Sequence, residues 1–150
     1  MSHGAILIAP EQIAASLAKL GIQPGVRVAL GGVPKELHRA VKEAVGSRGE
    51  VVIGPPDAKS RKKPDVVWVV CEEKTQAAIR LPAYLDVLAP GGKLWVSVSK
   101  TLTSSGPSAG SRLTVMDLQR FLEMRGKTIA QQLDLGAGYV ACRVGKTKRR

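Results

Sequence analysis

The segment from Pro64 to Lys100 constrains the fold of this chain more than any other. It contains an apolar run, a helical pattern that includes one proline, a Pro-Gly-Gly turn and a second apolar run. The first run, Val66 to Cys71, is apolar at every position, which is typical of a strand covered on both faces. A strand, a crossover helix and a parallel strand require helices on both faces of their sheet. The segment therefore predicts an α/β fold with a central, mostly parallel sheet.

The flanking segments add helices and strands to this core. Apolar residues recur at helical spacing in four places, and we predict helices that begin at Pro10, Pro34, Thr75 and Thr114. Thr75 is the expected N-cap of its helix, whereas Thr114 forms a capping box with Asp117. Pro82 is expected to kink or split the third helix. Predicted strands cover 26–30, 50–53, 66–71, 94–98, 128–135 and 139–144, the last two forming an antiparallel hairpin.

The length and composition predict one domain, and a sheet covered on both faces makes it a three-layer one. With 150 residues, 44% of them hydrophobic, the chain is long enough to bury a core without disulfides or metals. No apolar run approaches the roughly 18 residues of a membrane span, and no basic segment precedes the short apolar stretch 5–9. We therefore expect a cytoplasmic protein without a membrane partner. We divide it into an N-terminal arm (1–9), the α/β domain (10–145) and a basic tail (146–150).

The cysteines and histidines form no recognisable metal or catalytic pattern. Cys71 and Cys142 lie in predicted strands without C-x-x-C spacing, which indicates two small buried hydrophobic residues. His38 lies in the middle of a predicted helix, and the other histidine, His3, is near the terminus. A zinc site and a Ser-His-Asp triad both lack residues, so we predict no metal and place His38 on a solvated helix face.

The net charge of +11 comes almost entirely from two short segments. Nine basic residues and no acidic residue lie between 59 and 64 and in the last eight positions, while the rest of the chain has a net charge of +2. Such clusters neutralise phosphates without reading base sequence, and neither contains an aromatic side chain for base stacking. We predict RNA or DNA as a partner, the alternative being a solvated charge run. The predicted nucleic-acid-binding residues are Lys59, Arg61, Lys62, Lys63, Lys146, Lys148, Arg149 and Arg150.

Three segments, taken in order, resemble the class I methyltransferase fold. They are a strand after G-x-x-P-G (21–30), an apolar strand that opens with Pro-Asp (64–71), and L-x-P-G-G-x-L-W-V ahead of a lysine (88–100). The chain resembles more closely a small bacterial family of uncharacterised domains built on that fold. This closer match also takes in the helix from Thr114 and the final strands, so it covers nearly the whole chain.

The two motifs by which such enzymes hold S-adenosylmethionine are missing. Active members carry an acidic residue and an E/D-x-G-x-G-x-G turn after the first strand, where this sequence reads Ala-Leu-Gly-Gly-Val-Pro (29–34). They also place a carboxylate at the end of the second strand for the ribose hydroxyls, and the nearest carboxylate here is Asp57. The G-x-G-x-x-G of a nicotinamide dinucleotide site is absent as well. The resemblance therefore implies a Rossmann-like domain of the methyltransferase type. It speaks against the usual activity and against a resident cofactor.

Any small-molecule site is expected outside the carboxyl ends of the parallel strands. A Gly-Gly turn that leads into a helix can hold an anion with backbone amides, and a carboxylate after the central strand can act as a general base or bind ribose. Both features also occur for structural reasons alone, as a tight turn and as acidic residues favouring a helix N-terminus. The candidate ligand-binding residues at this edge are Gly31, Gly32, Asp57, Glu72, Glu73, Ser99 and Lys100.

No catalytic residue is assigned from the sequence. Ser97 and Ser99 lie near Lys100, as a catalytic Ser-Lys dyad would require. Alternate serines in a strand that ends in lysine arise easily by chance, however. The leading hypothesis is a non-catalytic methyltransferase-like domain that binds nucleic acid. One alternative is an S-adenosylmethionine-dependent methyltransferase, or a nucleotide-binding enzyme, with an atypical site at the Gly-Gly turn. The other is a structural subunit of an oligomer, for which a homodimer is one form.

Overall fold

The computed structural model describes residues 10–54, 63–85, 92–99, 113–135 and 139–146. Its strands are β1 (Arg27–Gly31), β2 (Glu50–Ile53), β3 (Val66–Val70), β4 (Lys93–Ser99), β5 (Lys127–Asp134) and β6 (Tyr139–Lys146). Its helices are α1 (Ile13–Lys19), which follows the 3-10 turn Pro10–Gln12, α2 (Lys35–Val45), α3 (Lys74–Leu85) and α4 (Val115–Glu123). The predicted order of helices and strands is confirmed. The predicted N-terminal arm, the acidic and basic loop residues 57–62 and the tail beyond 146 lie outside the described residues.

The strands form one mixed sheet in the order β2-β1-β3-β4-β6-β5. Strands β1 to β4 are parallel to their neighbours, whereas β6 runs antiparallel to β4, and β5 antiparallel to β6. All five residues of β3 are buried, because this strand has sheet neighbours on both sides and helices above and below. The prediction of a mostly parallel sheet with a C-terminal antiparallel hairpin is confirmed.

Helices cover both faces of the sheet and complete three layers. Residues of α1 and α2 lie in one hydrophobic cluster with Trp68 and Trp95, and residues of α3 and α4 lie in a second cluster with Val67. Both indole N–H groups are satisfied inside the core, as buried donors must be. Trp68 Nε1 donates to Ser97 Oγ at 2.7 Å, and Trp95 Nε1 donates to the carbonyl oxygen of Leu20 at 2.9 Å.

The start of α3 differs from the sequence prediction. Thr75 is not the N-cap, because the helix begins one residue earlier, at Lys74. The side chain of Gln76 instead satisfies the backbone donors ahead of the helix: its Oε1 accepts from the amides of Glu72 at 2.8 Å and Glu73 at 3.4 Å. A glutamine at the third helical position reaches back in this way in a capping box.

Pro82 lies inside α3 without splitting it, so of the two expected effects, a kink or a split, the split is wrong. A proline at this position deprives the carbonyl of Ala78, four residues earlier, of its helical donor. Both residues lie on the exposed side of the helix, where water can bond that carbonyl. By contrast, the capping box of α4 is confirmed: Thr114 Oγ1 accepts from the amide of Asp117 at 3.1 Å, and Asp117 Oδ2 accepts from the amide of Thr114 at 3.3 Å.

The antiparallel hairpin gives the two edges of the sheet different residues. We call the end at which β1 to β4 finish the carboxyl edge, and the opposite end the amino edge. In β6, Tyr139 pairs with Ser99 at the carboxyl edge, and the strand then runs back to Lys146 at the amino edge.

None of the helices in the described residues has both the length and the apolar character of a membrane span.

Candidate functional site

The Gly31-Gly32 turn connects β1 to the segment that enters α2 at the carboxyl edge. Gly32 has a φ of +70°, a backbone conformation that residues with a Cβ rarely adopt. A Cβ on Gly31 would lie 2.6 Å from the hydroxyl oxygen of Tyr84, and a Cβ on Gly32 would overlap Nη1 of Arg80. The space beside both glycines is therefore filled by side chains of α3.

Arg80 is the charged group that lies against this turn. Its Nη1 donates to the carbonyl oxygen of Val70, the last residue of β3, at 2.7 Å. Since β1 and β3 are neighbours, with Gly31 beside Val69, the guanidinium spans the ends of two parallel strands. The side chain is half-buried, and a guanidinium carries several further N–H donors for a ligand.

The sequence analysis missed Arg80. One signal for it was available, because Arg80 lies three residues after Ala77 and four before Tyr84, both buried residues of the α3 stripe. Residues at these spacings share a helix face. A basic residue beside the apolar stripe of a crossover helix therefore points toward the sheet and its carboxyl edge.

Glu72 is held at the same edge by three hydrogen bonds. Its carboxylate Oε1 accepts from the hydroxyl of Tyr139, the first residue of β6, at 2.5 Å. Its amide donates to the Gln76 side chain, and its carbonyl accepts from the amide of Leu113 at 2.9 Å. The half-buried carboxylate is thus fixed beyond the end of β3, whereas the neighbouring Glu73 is exposed ahead of α3.

Burial raises the pKa of two further groups near the site, the thiol of Cys71 and the hydroxyl of Tyr84. Burial raises the pKa of the Cys71 thiol to about 11, although the guanidinium of Arg80 opposes the shift. Burial also raises the pKa of the Tyr84 hydroxyl, again against the effect of Arg80. Because a thiol with such a pKa carries little thiolate, Cys71 is not poised as a nucleophile. The prediction that Cys71 and Cys142 are buried residues is confirmed, and both are free thiols.

The structure brings several of the predicted ligand residues to one edge. Gly31, Gly32, Glu72 and Glu73 lie there, and Ser99 ends β4 at the same edge. Asp57 and Lys100 lie outside the described residues, as do the predicted nucleic-acid-binding residues Lys59, Arg61, Lys62, Lys148, Arg149 and Arg150.

Two polar residues weighed in the sequence analysis have structural partners. Ser97 is fully buried and accepts the hydrogen bond of Trp68, so its hydroxyl serves the core. His38 is half-buried, and its Nε2 lies 2.9 Å from the carbonyl oxygen of Val33. The expected solvated face for His38 is wrong, because the loop that enters α2 folds back over the imidazole.

The two positions at which the resemblance implies carboxylates carry apolar residues in the structure. Ala29 and Leu30, the residues of β1 ahead of the glycine pair, are 0% and 1% exposed and belong to the core. Ile53, at the end of β2, is 58% exposed. The first position therefore cannot reach a ligand, while the second offers apolar surface to one.

Solved structures share this architecture, although the sequence matches no protein-family model and no curated protein. A SAM dependent methyltransferase from Aquifex aeolicus has a TM-score of 0.63 at 14% identity, covering 94% of this chain and 95% of that one. The ribosomal protein L11 methylase from Lactobacillus delbrueckii subsp. bulgaricus has a TM-score of 0.60 at 10% identity, covering 92% and 78%. A SAM-dependent methyltransferase from Thiobacillus denitrificans, in complex with S-adenosyl-L-homocysteine, has a TM-score of 0.54 at 17% identity, covering 87% and 68%.

This chain has a class I methyltransferase-like fold. The resemblance seen in the sequence is thereby confirmed at the level of the fold, while the closer match to a small bacterial family stays a prediction. In this methyltransferase-like domain the carboxyl edge carries a donor and an acceptor of opposite charge. The donor is the Arg80 guanidinium beside the glycine turn, and the acceptor is the Glu72 carboxylate beyond the end of β3. No carboxylate stands among the described residues at the end of β2 to bond the ribose hydroxyls.

Proposed function

We propose that this domain binds S-adenosylmethionine at the carboxyl edge in an atypical manner and acts as a methyltransferase. The observation that carries the proposal is the placement of two opposite charges at the carboxyl edge. Arg80 lies against the Gly31-Gly32 turn and the end of β3, and Glu72 lies beyond the end of β3, where its carboxylate accepts from Tyr139. The amino-acid end of S-adenosylmethionine carries a negative carboxylate and a positive ammonium group, both attached to the same carbon atom. A ligand with that pattern is complementary to this edge.

Arg80 would hold the carboxylate of the ligand. Hydrogen bonds between a guanidinium and a carboxylate are charge-assisted and about twice as strong as neutral ones. The half-buried position of Arg80 strengthens them further, since solvent screens the pair less. Its existing bond to the Val70 carbonyl keeps the side chain beside the turn, so that less rotamer entropy is lost on binding.

Glu72 would hold the ammonium group of the ligand. The Tyr139 hydroxyl occupies one side of its carboxylate and fixes the orientation of the group. The exposed side chain of Ile53 lies at the end of β2, two strands from the end of β3, and offers an apolar contact for a planar ring. When bound, S-adenosylmethionine supplies an activated methyl group on its sulfonium sulfur.

The expectation of a domain without a cofactor finds no support among the similar structures. Those compared are methyltransferases, and one of them holds S-adenosyl-L-homocysteine. The loss of the two family carboxylates still has a consequence, because interactions with the adenosine part of the ligand are fewer. We therefore expect an affinity that depends more than usual on the amino-acid end of the ligand.

Isothermal titration with three ligands tests this proposal. S-adenosylmethionine and S-adenosylhomocysteine carry the amino-acid group, and methylthioadenosine lacks it. We expect the first two to bind saturably and methylthioadenosine to bind at least about tenfold more weakly, a difference of about 1.4 kcal/mol. Arg80→Met and Glu72→Gln should each weaken S-adenosylhomocysteine by a similar factor and leave methylthioadenosine unchanged.

Arg39→Met and Glu43→Gln are the matched controls. These residues form an exposed ion pair on α2 and lie away from the carboxyl edge, so their loss should leave all three affinities unchanged. The proposal fails if neither S-adenosyl ligand binds. It also fails if methylthioadenosine binds as tightly as S-adenosylhomocysteine and Arg80→Met has no effect.

A further inference from the structure

Basic residues from four neighbouring strands meet at the amino edge. Lys93 begins β4, Lys127 begins β5 and Lys146 ends β6, while Lys63 lies shortly before the start of β3. These strands follow one another across the sheet as β3-β4-β6-β5. With about 4.8 Å between neighbouring strands, the four positions span about 14 Å. We call Lys63, Lys93, Lys127 and Lys146 the amino-edge row.

The amino-edge row joins the two basic segments of the sequence. Arg61 and Lys62 directly precede Lys63, and Lys148, Arg149 and Arg150 follow Lys146 in the chain. Segments that are far apart in sequence thus enter the described fold at the same edge. This arrangement follows from the antiparallel direction of β6, which returns the C-terminus to the amino edge.

The register of the hairpin brings two members of the row together. Lys127 and Lys146 are directly opposite each other in the β5–β6 ladder. Opposite residues of such a ladder lie about 5 Å apart. Two basic positions therefore fall in one short stretch of the amino edge.

The basic residues described near the row outnumber the acidic ones, which are Asp65, Glu50 and Glu123 at the end of α4. Asp65 accepts from the amide of Arg27 at 3.0 Å, and Glu50 forms an ion pair with the Arg27 guanidinium at 2.6 Å. Next to Lys127, the exposed Arg125 stacks its guanidinium on the ring of Phe121, 3.8 Å from the centroid. The edge therefore presents an excess of positive charge, whereas Glu72, Glu73 and Asp134 lie at the opposite edge.

We infer that the amino-edge row binds the phosphate backbone of nucleic acid. A line of cations fits a chain of phosphates, and such contacts carry affinity without base recognition. The ring of Phe121 is covered by Arg125, two residues before Lys127, and is therefore not open for base stacking. Strand β4 has seven residues, which separates the row from the carboxyl edge by roughly 20 Å. The nucleic acid is therefore an anchoring partner, independent of the proposed methyl transfer.

Fluorescence anisotropy with labelled nucleic acid tests the inference. The full chain is titrated into a mixed-sequence RNA of about 15 nucleotides and into duplex DNA of similar length, between about 50 and 200 mM salt. We expect binding that does not depend on base sequence. The double variant Lys93→Gln/Lys127→Gln should lower the slope of log affinity against log salt by about 1.4 to 1.8, since each lost phosphate contact contributes about 0.7 to 0.9.

Two further variants separate position from charge. Arg39→Gln/Lys74→Gln removes the same charge from exposed residues outside the amino edge and should retain wild-type binding. Lys93→Arg/Lys127→Arg keeps the charge at the row and should also retain it. Circular dichroism shows whether each variant is folded.

Three outcomes would overturn the inference. One is no binding of RNA or DNA at about 50 mM salt. Another is an equal loss of affinity in the two glutamine double variants, which would mean that net charge alone is responsible. The third is tighter binding to polyglutamate than to either nucleic acid, which would identify an acidic protein as the partner.

Discussion

At the residue scale, the glycine pair after β1 has a packing cause that the sequence does not show. Gly31 and Gly32 admit the side chains of Tyr84 and Arg80, and a Cβ at either position would collide with them. The pair is therefore required even without a ligand. The absence of side chains at the two glycines leaves room for the guanidinium of Arg80 at the end of β3. This is the edge at which open α/β sheets bind ligands.

Replacement of Gly32 by alanine tests this packing argument. Gly32→Ala combines a positive φ with a Cβ that overlaps Arg80 and lies 2.8 Å from the carbonyl oxygen of Val70. Gly126→Ala is the matched control, because Gly126 has a φ of +73° and no atom within 4 Å of the added Cβ. We expect the control to cost about 1–2 kcal/mol for backbone conformation alone.

Gly32→Ala should cost more, by about 1–3 kcal/mol, since a backbone oxygen cannot move aside as a side chain can. Urea denaturation of both variants measures the free energies of unfolding. If both variants lose the same free energy of unfolding, Arg80 and the end of β3 are not in close contact with the turn.

At the element scale, α3 and α4 show how capping is decided by competition. Both have a threonine near the predicted start, yet only Thr114 caps its helix. At α3 the side chain of Gln76 bonds the amides of Glu72 and Glu73, and the first helical turn therefore forms one residue ahead of Thr75. A local sequence pattern indicates which residues could cap a helix. Which of them does so depends on the hydrogen bonds made by the residues just before the helix.

Alanine substitution of the two threonines separates these roles. Thr114→Ala removes the acceptor for the Asp117 amide and should lower the free energy of unfolding by about 1 kcal/mol. Thr75→Ala changes an exposed position within the first turn and should be neutral or stabilising by a few tenths of a kcal/mol, because alanine favours the helix. Thermal and urea denaturation measure both effects. A loss at Thr75 as large as that at Thr114 would contradict the observed start of α3.

At the scale of the whole molecule, the sheet separates two kinds of chemistry. The carboxyl edge combines Arg80 with the acidic residues Glu72, Glu73 and Asp134, whereas the amino-edge row is basic. The separation follows from the antiparallel β5–β6 hairpin, which places one end of each strand at each edge. The proposed small ligand and the proposed polyanion would therefore bind at opposite ends of one domain.

The two buried thiols make the stability of the domain sensitive to alkaline pH. Burial raises the pKa of Cys71 to about 11 and that of Cys142 to about 12, from an ordinary value of 9.0. Above the ordinary pKa the unfolded chain loses thiol protons that the folded chain retains. This contribution to the free energy of unfolding is thus complete below about pH 9 and is lost as the pH rises toward 11 and 12.

The variant Cys71→Ala/Cys142→Ala isolates the contribution of the thiols. Urea denaturation under reducing conditions from about pH 7 to 11 should show a fall in wild-type stability that begins near pH 9. The double variant should start from a lower stability, because it loses buried volume, and then decline less steeply. Parallel curves for the two proteins would show that other groups cause the alkaline loss.

Most of the fold could be predicted from the sequence, because the information is local. The unbroken apolar run of β3 requires cover on both faces, helical stripes identify the covering helices, and strand patterns with short connections favour the final hairpin. The candidate site could be predicted only as an edge of the sheet. The sequence placed Gly31, Gly32 and Glu72 there from the ends of their strands, and it missed Arg80, whose side chain reaches that edge from a helix.

The sequence by itself determined the elements of this protein and their layered arrangement, since periodicity and capping act between residues a few positions apart. The tertiary structure alone decided which distant residues meet. The bond between Glu72 and Tyr139 joins residues 67 positions apart, and the amino-edge row unites strands from both halves of the chain. The physical reason is that the order and direction of the strands depend on how the whole sheet is buried. A local sequence pattern carries no information about that.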